Sequence, residues 1–404
     1  MNKKLSFFYF AVISLILFSA CQEAETHPST GNAIVLVNGL LIDGTGSPAA
    51  ANAVVVVRDG FIADVGGMGE TEIPLDSVRI DLQGSTFLPG FINAHVHNAY
   101  NEFNLRTWAQ SGVTTVRDLG GNPRNDLFGF RDSASHDPHC ARLVAAGPMV
   151  TVPGGYPTVP WGSLGALPVT SPDDARDKIT RLLDDGADVI KIALESGKSF
   201  NLSIPMLSLE EARAIVELTH GRGTVVSAHV LTANDLEHAL NAGVDDIAHM
   251  VWDSLDDGQI ARVKNAGIYW VPTLELWYAV NPSLGDAAVQ NLSRFVRAGG
   301  QVALGTDYDG YDSQFDLGMP MREIRWMHTA GMTPMQIIVA ATQNAAQVCN
   351  LADRIGTLEK GKIADLLIVD GNPLEDLNVL LNLKMVINRG EIIYRRKKSS
   401  APRR

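Results

Sequence analysis

Eight short β-rich runs, each leading into a stretch of helical pattern, constrain this chain more than any other feature. They end at His97, Asp118, Ala146, Leu194, His229, His249, Thr273 and Asp307. Each helix carries the chain back across the sheet, so the next strand starts beside the last and runs parallel to it. One helix shows how local chemistry supports the rhythm: Ser208 precedes the Leu209–His220 stretch and Glu211 follows three residues on, a capping box. Eight such units predict an α/β fold, a closed (β/α)8 TIM barrel over residues 89–354, with an open doubly wound sheet as the alternative.

Both flanks have a different character. From Ala33 to Leu88, short runs such as Val54–Val57 and Phe61–Val65 are separated by turn signals, Asp59-Gly60 among them, and read as antiparallel hairpins. Ala364–Val369 and Met385–Ile393 repeat this pattern near the other end. Residues 33–88 and 355–396 are therefore expected to form one small β-sandwich built from both chain ends. Inside the barrel, the Pro-, Gly- and aromatic-rich stretch Met149–Leu167 predicts one long loop, a wall or lid for a site.

The first residues place Lys3 and Lys4 ahead of an apolar stretch, Leu5–Phe18, followed by Ser19-Ala20-Cys21. That order is an export signal, too short for a membrane span. Ser19-Ala20-Cys21 resembles a bacterial lipoprotein box, which implies cleavage before Cys21 and lipid on its sulfur. Ordinary secretion and an uncleaved anchor are the alternatives. The expectation is thus a signal over 1–21, a polar tether over 22–32 and a membrane-anchored lipoprotein facing the periplasm or the outside. Residues 397–404 form a basic tail. A net charge of −12 and no basic stripe in the body argue against nucleic-acid binding. Cys140 and Cys349 lie far apart without metal or redox spacing, so no disulfide framework is expected.

Chemistry concentrates where the apolar runs end. His95 and His97 are two residues apart, and side chains at that spacing share one face of a strand, the arrangement a divalent metal asks of two imidazoles. His229, His249 and Asp307 end three further runs, and strand ends of a barrel converge on one face. Lys191 sits inside the apolar run Asp188–Ala193, where an unpaired ammonium would cost several kcal/mol. Its amine is read as carboxylated by carbon dioxide, so that the carbamate bridges two cations. A salt bridge to Glu195, or Glu195 itself as the bridge, are the other readings. Asp307 is suited to accept a proton from attacking water and pass it on, or else to cap the next helix.

Taken in order, Pro89-Gly90-Phe91-Ile92-Asn93-Ala94-His95-Val96-His97, Gly112–Asp118, Gly186–Ile192, Ala228-His229, Ala248-His249, Gly305-Thr306-Asp307 and Gly356–Leu366 resemble the amidohydrolase superfamily of metal-dependent hydrolases. The likeness spans nearly all of the chain after the export signal. It implies a barrel plus β-sandwich, His95 and His97 on one metal, His229 and His249 on a second, Lys191 bridging, and Asp307 as ligand and proton shuttle. Within the superfamily the chain is most similar to imidazolonepropionases and metal-dependent Xaa-Pro dipeptidases. Lys191 favours the dipeptidase side, because imidazolonepropionases use one metal and lack a bridging lysine. Val230-Leu231 after His229, where several relatives have tyrosine, and Ala248-His249-Met250, where many read Glu-His-Gly, set it apart.

The expected function is hydrolysis of an amide or peptide bond in a small substrate, such as an N-acyl amino acid or Xaa-Pro dipeptide. Cleavage of a cyclic amide, lactone or phosphotriester is the rival enzyme reading, and a non-catalytic metal-binding lipoprotein is the rival from another class. The expected cofactor is one or two divalent metals per subunit, with zinc the leading candidate, and the partner is the small substrate, with homo-oligomers compatible. Tyr156 in the long loop, Tyr308 after Asp307, and Arg117 at a strand end are candidate substrate contacts, or else packing residues. Trp252, Trp277 and Tyr278 could wall the site and favour cyclic or apolar substrates.

Overall fold

The computed structural model describes residues 33–122, 125–162, 165–309 and 315–397. The expected signal over 1–21, lipidation at Cys21, the 22–32 tether and all but the first residue of the 397–404 tail lie outside them. Among the described residues no helix is long and apolar enough to cross a membrane.

Strands from the two flanks join in one eight-stranded sheet. Glu391–Arg395, Leu383–Asn388, Leu366–Val369, Thr86–Pro89, Ile34–Leu41, Ala50–Arg58 and Phe61–Gly67 are neighbours in that order, and Val78–Asp81 branches from Ile34–Leu41. The ends of the chain meet where Leu366–Val369 runs antiparallel to Thr86–Pro89. Alternation sends the two faces of its central strands into different cores. Leu366, Ile368, Met385 and Ile387 pack with Leu36, Val55 and Phe87, whereas Leu367, Val369 and Val386 join the large core that contains the parallel strands. Asp59-Gly60 turns one hairpin with both φ positive (50° and 87°), and Arg389-Gly390 turns another in the same way (52° and 81°). This is the twist-compatible turn that favours glycine second. The two turns touch: a Cβ on Gly390 would lie 2.5 Å from the Cα of Gly60.

The middle of the chain is α/β. Phe91–Val96, Val113–Asp118 and Arg142–Ala145 form a three-stranded parallel sheet, and Ala166–Pro168, Met149–Thr151, Ile190–Ala193, Val226–His229, Asp246–Ala248 and Tyr269–Val271 form a six-stranded one. Helices intervene as the rhythm predicts, and the Leu209–Gly221 helix carries the Ser208/Glu211 capping box. Two expectations are corrected. Met149–Leu167 is not one open loop, because Met149–Thr151 and Ala166–Pro168 pair as strands around a short helix, Thr158–Trp161. The eighth run, Val302–Asp307, is not a regular strand. It is held instead by single bridges, Val302 to Trp270 on one side and Tyr308 to Val96 on the other. Between them Asp307 has φ +63°, a left-handed bend in the run. Between the two sheets, the amide of Asp188 donates to the carbonyl of Ala145 at 2.9 Å. Cys140 and Cys349 are free and buried.

Candidate active site

Asp307 is tied to the His95 strand by backbone chemistry before any side chain is considered. The carbonyl of His95 accepts the amides of Thr306 and Asp307 at 3.1 and 2.9 Å. The Asn93 side chain donates to Thr306 Oγ1 at 2.9 Å from the other direction. Gly305 permits this closeness, since a Cβ there would lie 2.4 Å from Val271 Cγ1 and 2.8 Å from His95 Cβ. Asp307, His249 and Thr273 all adopt positive φ (63°, 75° and 47°), a conformation non-glycine residues hold only when their surroundings impose it.

The side chains converge at these bends. Asp307 Oδ1 lies 2.9 Å from His95 Nε2 and 3.2 Å from His97 Nε2. Candidate ligand atoms of His95, His249 and Asp307 all fall within 4.8 Å of one another. His229 Nδ1 stands 3.0 Å from His249 Nε2, and Thr273 Oγ1 is 2.9 Å from His249 Nδ1. Both ring nitrogens of His95, Nε2 of His229, Oδ1 of Asp307 and Nζ of Lys191 are buried without a hydrogen bond. The short approach of His95 to Asp307 therefore lacks hydrogen-bond direction. Orphaned polar atoms cost roughly 1–3 kcal/mol each in a protein interior. So many in one place form a donor set that suits a cation.

Electrostatics agree with that role. Burial, helped by the nearby Lys191 charge, drives His95 down to about 3. Burial likewise pushes His229 and His249 well below the ordinary histidine value. All three are neutral at pH 7, the form that ligates metal. His97 moves up: burial opposes it, but Asp307 and Asp118 outweigh burial. Burial would raise Asp307, yet the His95 and His249 imidazoles hold it well below the usual carboxylate range. Lys191 is fully buried, and desolvation brings its amine down to about 7.

Three sequence readings are corrected. Glu195 does not pair with Lys191, because its carboxylate accepts the Gly197 amide at 2.6 Å and the Ser199 hydroxyl at 3.3 Å. Arg117 does not face a substrate: it is fully buried, gripping both oxygens of Asp246 at 2.8 and 2.9 Å and the carbonyls of Ala94 and Val348. Tyr308 packs its buried ring edge-on against Trp108 at 5.2 Å, as a core residue. Of the expected aromatic wall, Trp277 lies edge-on to His249 at 6.4 Å. Tyr278 instead stacks on Trp326 and donates to Asp286. Tyr156 does reach the site, lying flat on His229 at 4.1 Å.

Sequence reading missed Thr273, although it ends one of the eight runs, and Glu323, whose carboxylate receives the Leu274 and Glu275 amides at 3.0 and 2.8 Å. It also missed Asp246, the second acid of the Asp245-Asp246 pair that opens its run.

Residues 86–393 match the amidohydrolase family. Ochratoxinase of Aspergillus niger is 28% identical over 414 aligned residues, which cover 87% of this chain and 84% of that protein. Imidazolonepropionase of Thermoplasma volcanium is 23% identical over 398 residues, covering 86% and 92%. Among solved structures, a Xaa-Pro dipeptidase with methionine bound in its active site matches with a TM-score of 0.77 at 26% identity, over 90% of this chain and 100% of that one.

Proposed function

This chain belongs to the amidohydrolase family and is a hydrolase of carbon–nitrogen bonds, and from there we propose that it cleaves the amide of a small N-acyl amino acid or Xaa-Pro dipeptide with the help of divalent metal. The observation that carries this is the set of buried, hydrogen-bond-free atoms on His95, His229, Asp307 and Lys191. His95, His97 and Asp307 would hold one cation and His229 and His249 a second. A divalent cation bound there acidifies water and polarises the scissile carbonyl. Lys191 would bridge as a carbamate: its neutral amine, abundant near pH 7, attacks carbon dioxide and releases a proton, leaving an anionic carboxylate in place of a buried ammonium.

Asp307 does the proton work. Its carboxylate, held anionic by two imidazoles, takes the proton of the attacking water and returns it to the leaving nitrogen as the tetrahedral carbon collapses. Tyr156, stacked on His229, would meet the substrate. In the same reading the two parallel sheets and the Val302–Tyr308 link are parts of one (β/α)8 barrel, the flanking sheet is a small β-sandwich, and Cys21 anchors an exported chain.

A panel of N-acyl amino acids, Xaa-Pro dipeptides, cyclic amides, lactones and phosphotriesters, run with metal-loaded protein, tests the reading. Amide turnover that falls at least about 10³-fold in Asp307→Asn with metal retained supports it. Turnover confined to lactones or phosphotriesters, or bound metal with no turnover at all, overturns it.

A further inference from the structure

Aromatic rings lead outward from the candidate metal centre to solvent. Tyr156 lies on the His229 imidazole with planes 18° apart. Phe200 is nearly parallel to Tyr156, at 6.0 Å and 14°, and Trp161 meets Phe200 edge-on at 5.7 Å. The outer end is left bare: Trp161 is 64% exposed, Val159, two residues before it, is 37% exposed, and Leu202, two residues after Phe200, is 44% exposed. Exposed apolar side chains scattered singly need no explanation. These instead cap the two loops whose rings run to His229.

The platform is built rather than loosely draped. Gly155 has no room for a side chain, because a Cβ would lie 2.5 Å from Thr151 Oγ1 and 2.9 Å from the Pro205 carbonyl, which pins the Tyr156 loop against the end of the Phe200 loop. The Phe200 loop closes on itself through Leu202 to Gly197 (2.9 Å) and Ile204 to Ser196 (3.0 Å) backbone bonds. A large indole held in water at the outer end of a ring path to His229 gains from being covered by a flat apolar group, and ring pairs add to the burial itself. None of these rings is needed to hold metal or move a proton.

We propose that Tyr156, Phe200 and Trp161 form a specificity platform, and that the substrate class is amides bearing an aryl group beside the scissile bond. This rests on the hydrolase reading above and deepens it. The prediction separates size from chemistry: a small acyl group would reach Asp307 without touching Trp161.

The test compares N-(2-naphthoyl)-L-alanine and L-alanine 2-naphthylamide with N-acetyl-L-alanine and L-alaninamide. On metal-loaded protein, at least one aryl amide should exceed its small counterpart about tenfold or more in kcat/KM. Trp161→Ala and Phe200→Ala should remove most of that advantage through KM, leaving the small amides within about twofold, and Trp161→Phe should restore part of it. Calorimetric binding of the aryl amides to Asp307→Asn protein, with and without Trp161→Ala, reads the platform independently of turnover. Hydrolysis with no aryl preference, or losses in Trp161→Ala that are equal for both classes, overturns the platform and leaves the hydrolase reading standing. Trp161-dependent aryl binding without hydrolysis of any amide keeps the platform and overturns the hydrolase reading. Neither binding nor hydrolysis overturns both.

Discussion

Thr273 turns its hydroxyl to Nδ1 of His249, 2.9 Å away, rather than to the helix that it precedes. The Leu274–Val280 helix consequently has no side-chain cap of its own, and Glu323, from the Met321–Thr329 helix, accepts its first two amides instead. One carboxylate thus frees the threonine to fix the ring orientation of a candidate ligand, a supporting role of the kind that tunes metal sites. Thr273→Val should weaken metal retention and lower kcat about 10- to 100-fold, whereas Thr273→Ser should stay close to wild type. Competition with a chromophoric chelator reads the first effect directly; equal retention in Val and Ser variants would remove the role.

Glu323 and its neighbour Glu275 are buried, and desolvation raises each carboxyl to about 8, with Glu323 adding to the shift of Glu275. Both folded-state values lie above the unfolded value near 4.5, so the folded protein holds protons that the unfolded chain has released. The stability involved is fully present below about pH 4.5 and is lost as pH rises through about 8. Thermal unfolding followed from pH 5 to 8 should show falling stability, and Glu275→Gln should flatten the slope by about 1–3 kcal/mol across that window. A steeper slope in the variant would contradict the assignment.

Gly305 lets two chain segments meet at Asp307. Gly305→Ala would force a methyl into Val271 and His95 and should cost about 1–3 kcal/mol, the usual penalty of overpacking. Metal retention should fall with it, because the bend at Asp307 moves. Chemical denaturation alongside bound-metal analysis tests both; full metal retention at wild-type stability would show that the contact relaxes freely.

Arg117 and Asp246 form a fully buried two-pronged ion pair. Removing one partner strands the other charge, so Arg117→Met should destabilise by about 3–5 kcal/mol. KM measured on the folded fraction at low temperature should not change. A raised KM with unchanged stability would return Arg117 to the substrate.

Much of the fold and site was legible because it is written locally. His95, His97, His229, His249 and Asp307 announce themselves by ending apolar runs, and the Asp59-Gly60 turn by its residue types, whereas the Arg389-Gly390 turn lay hidden inside the run Met385–Ile393. Contacts between distant residues were not legible. Nothing near Thr273 says that Glu323 will relieve it of capping, and nothing near Arg117 points to Asp246 rather than the adjacent Asp118. The eighth run was placed correctly between its neighbours but is joined to them only by single bridges, Val302 to Trp270 and Tyr308 to Val96, a detail of pairing that its residue types do not carry. The ring path through Tyr156, Phe200 and Trp161 joins two loops that only the folded chain brings together.

Metal dependence of amide turnover tests the central claim most directly. Protein stripped with chelator should lose hydrolysis of N-acyl amino acids, and activity should return in proportion to divalent metal restored, levelling near two ions per chain. Stripped protein that turns these amides over at an undiminished rate would contradict the account.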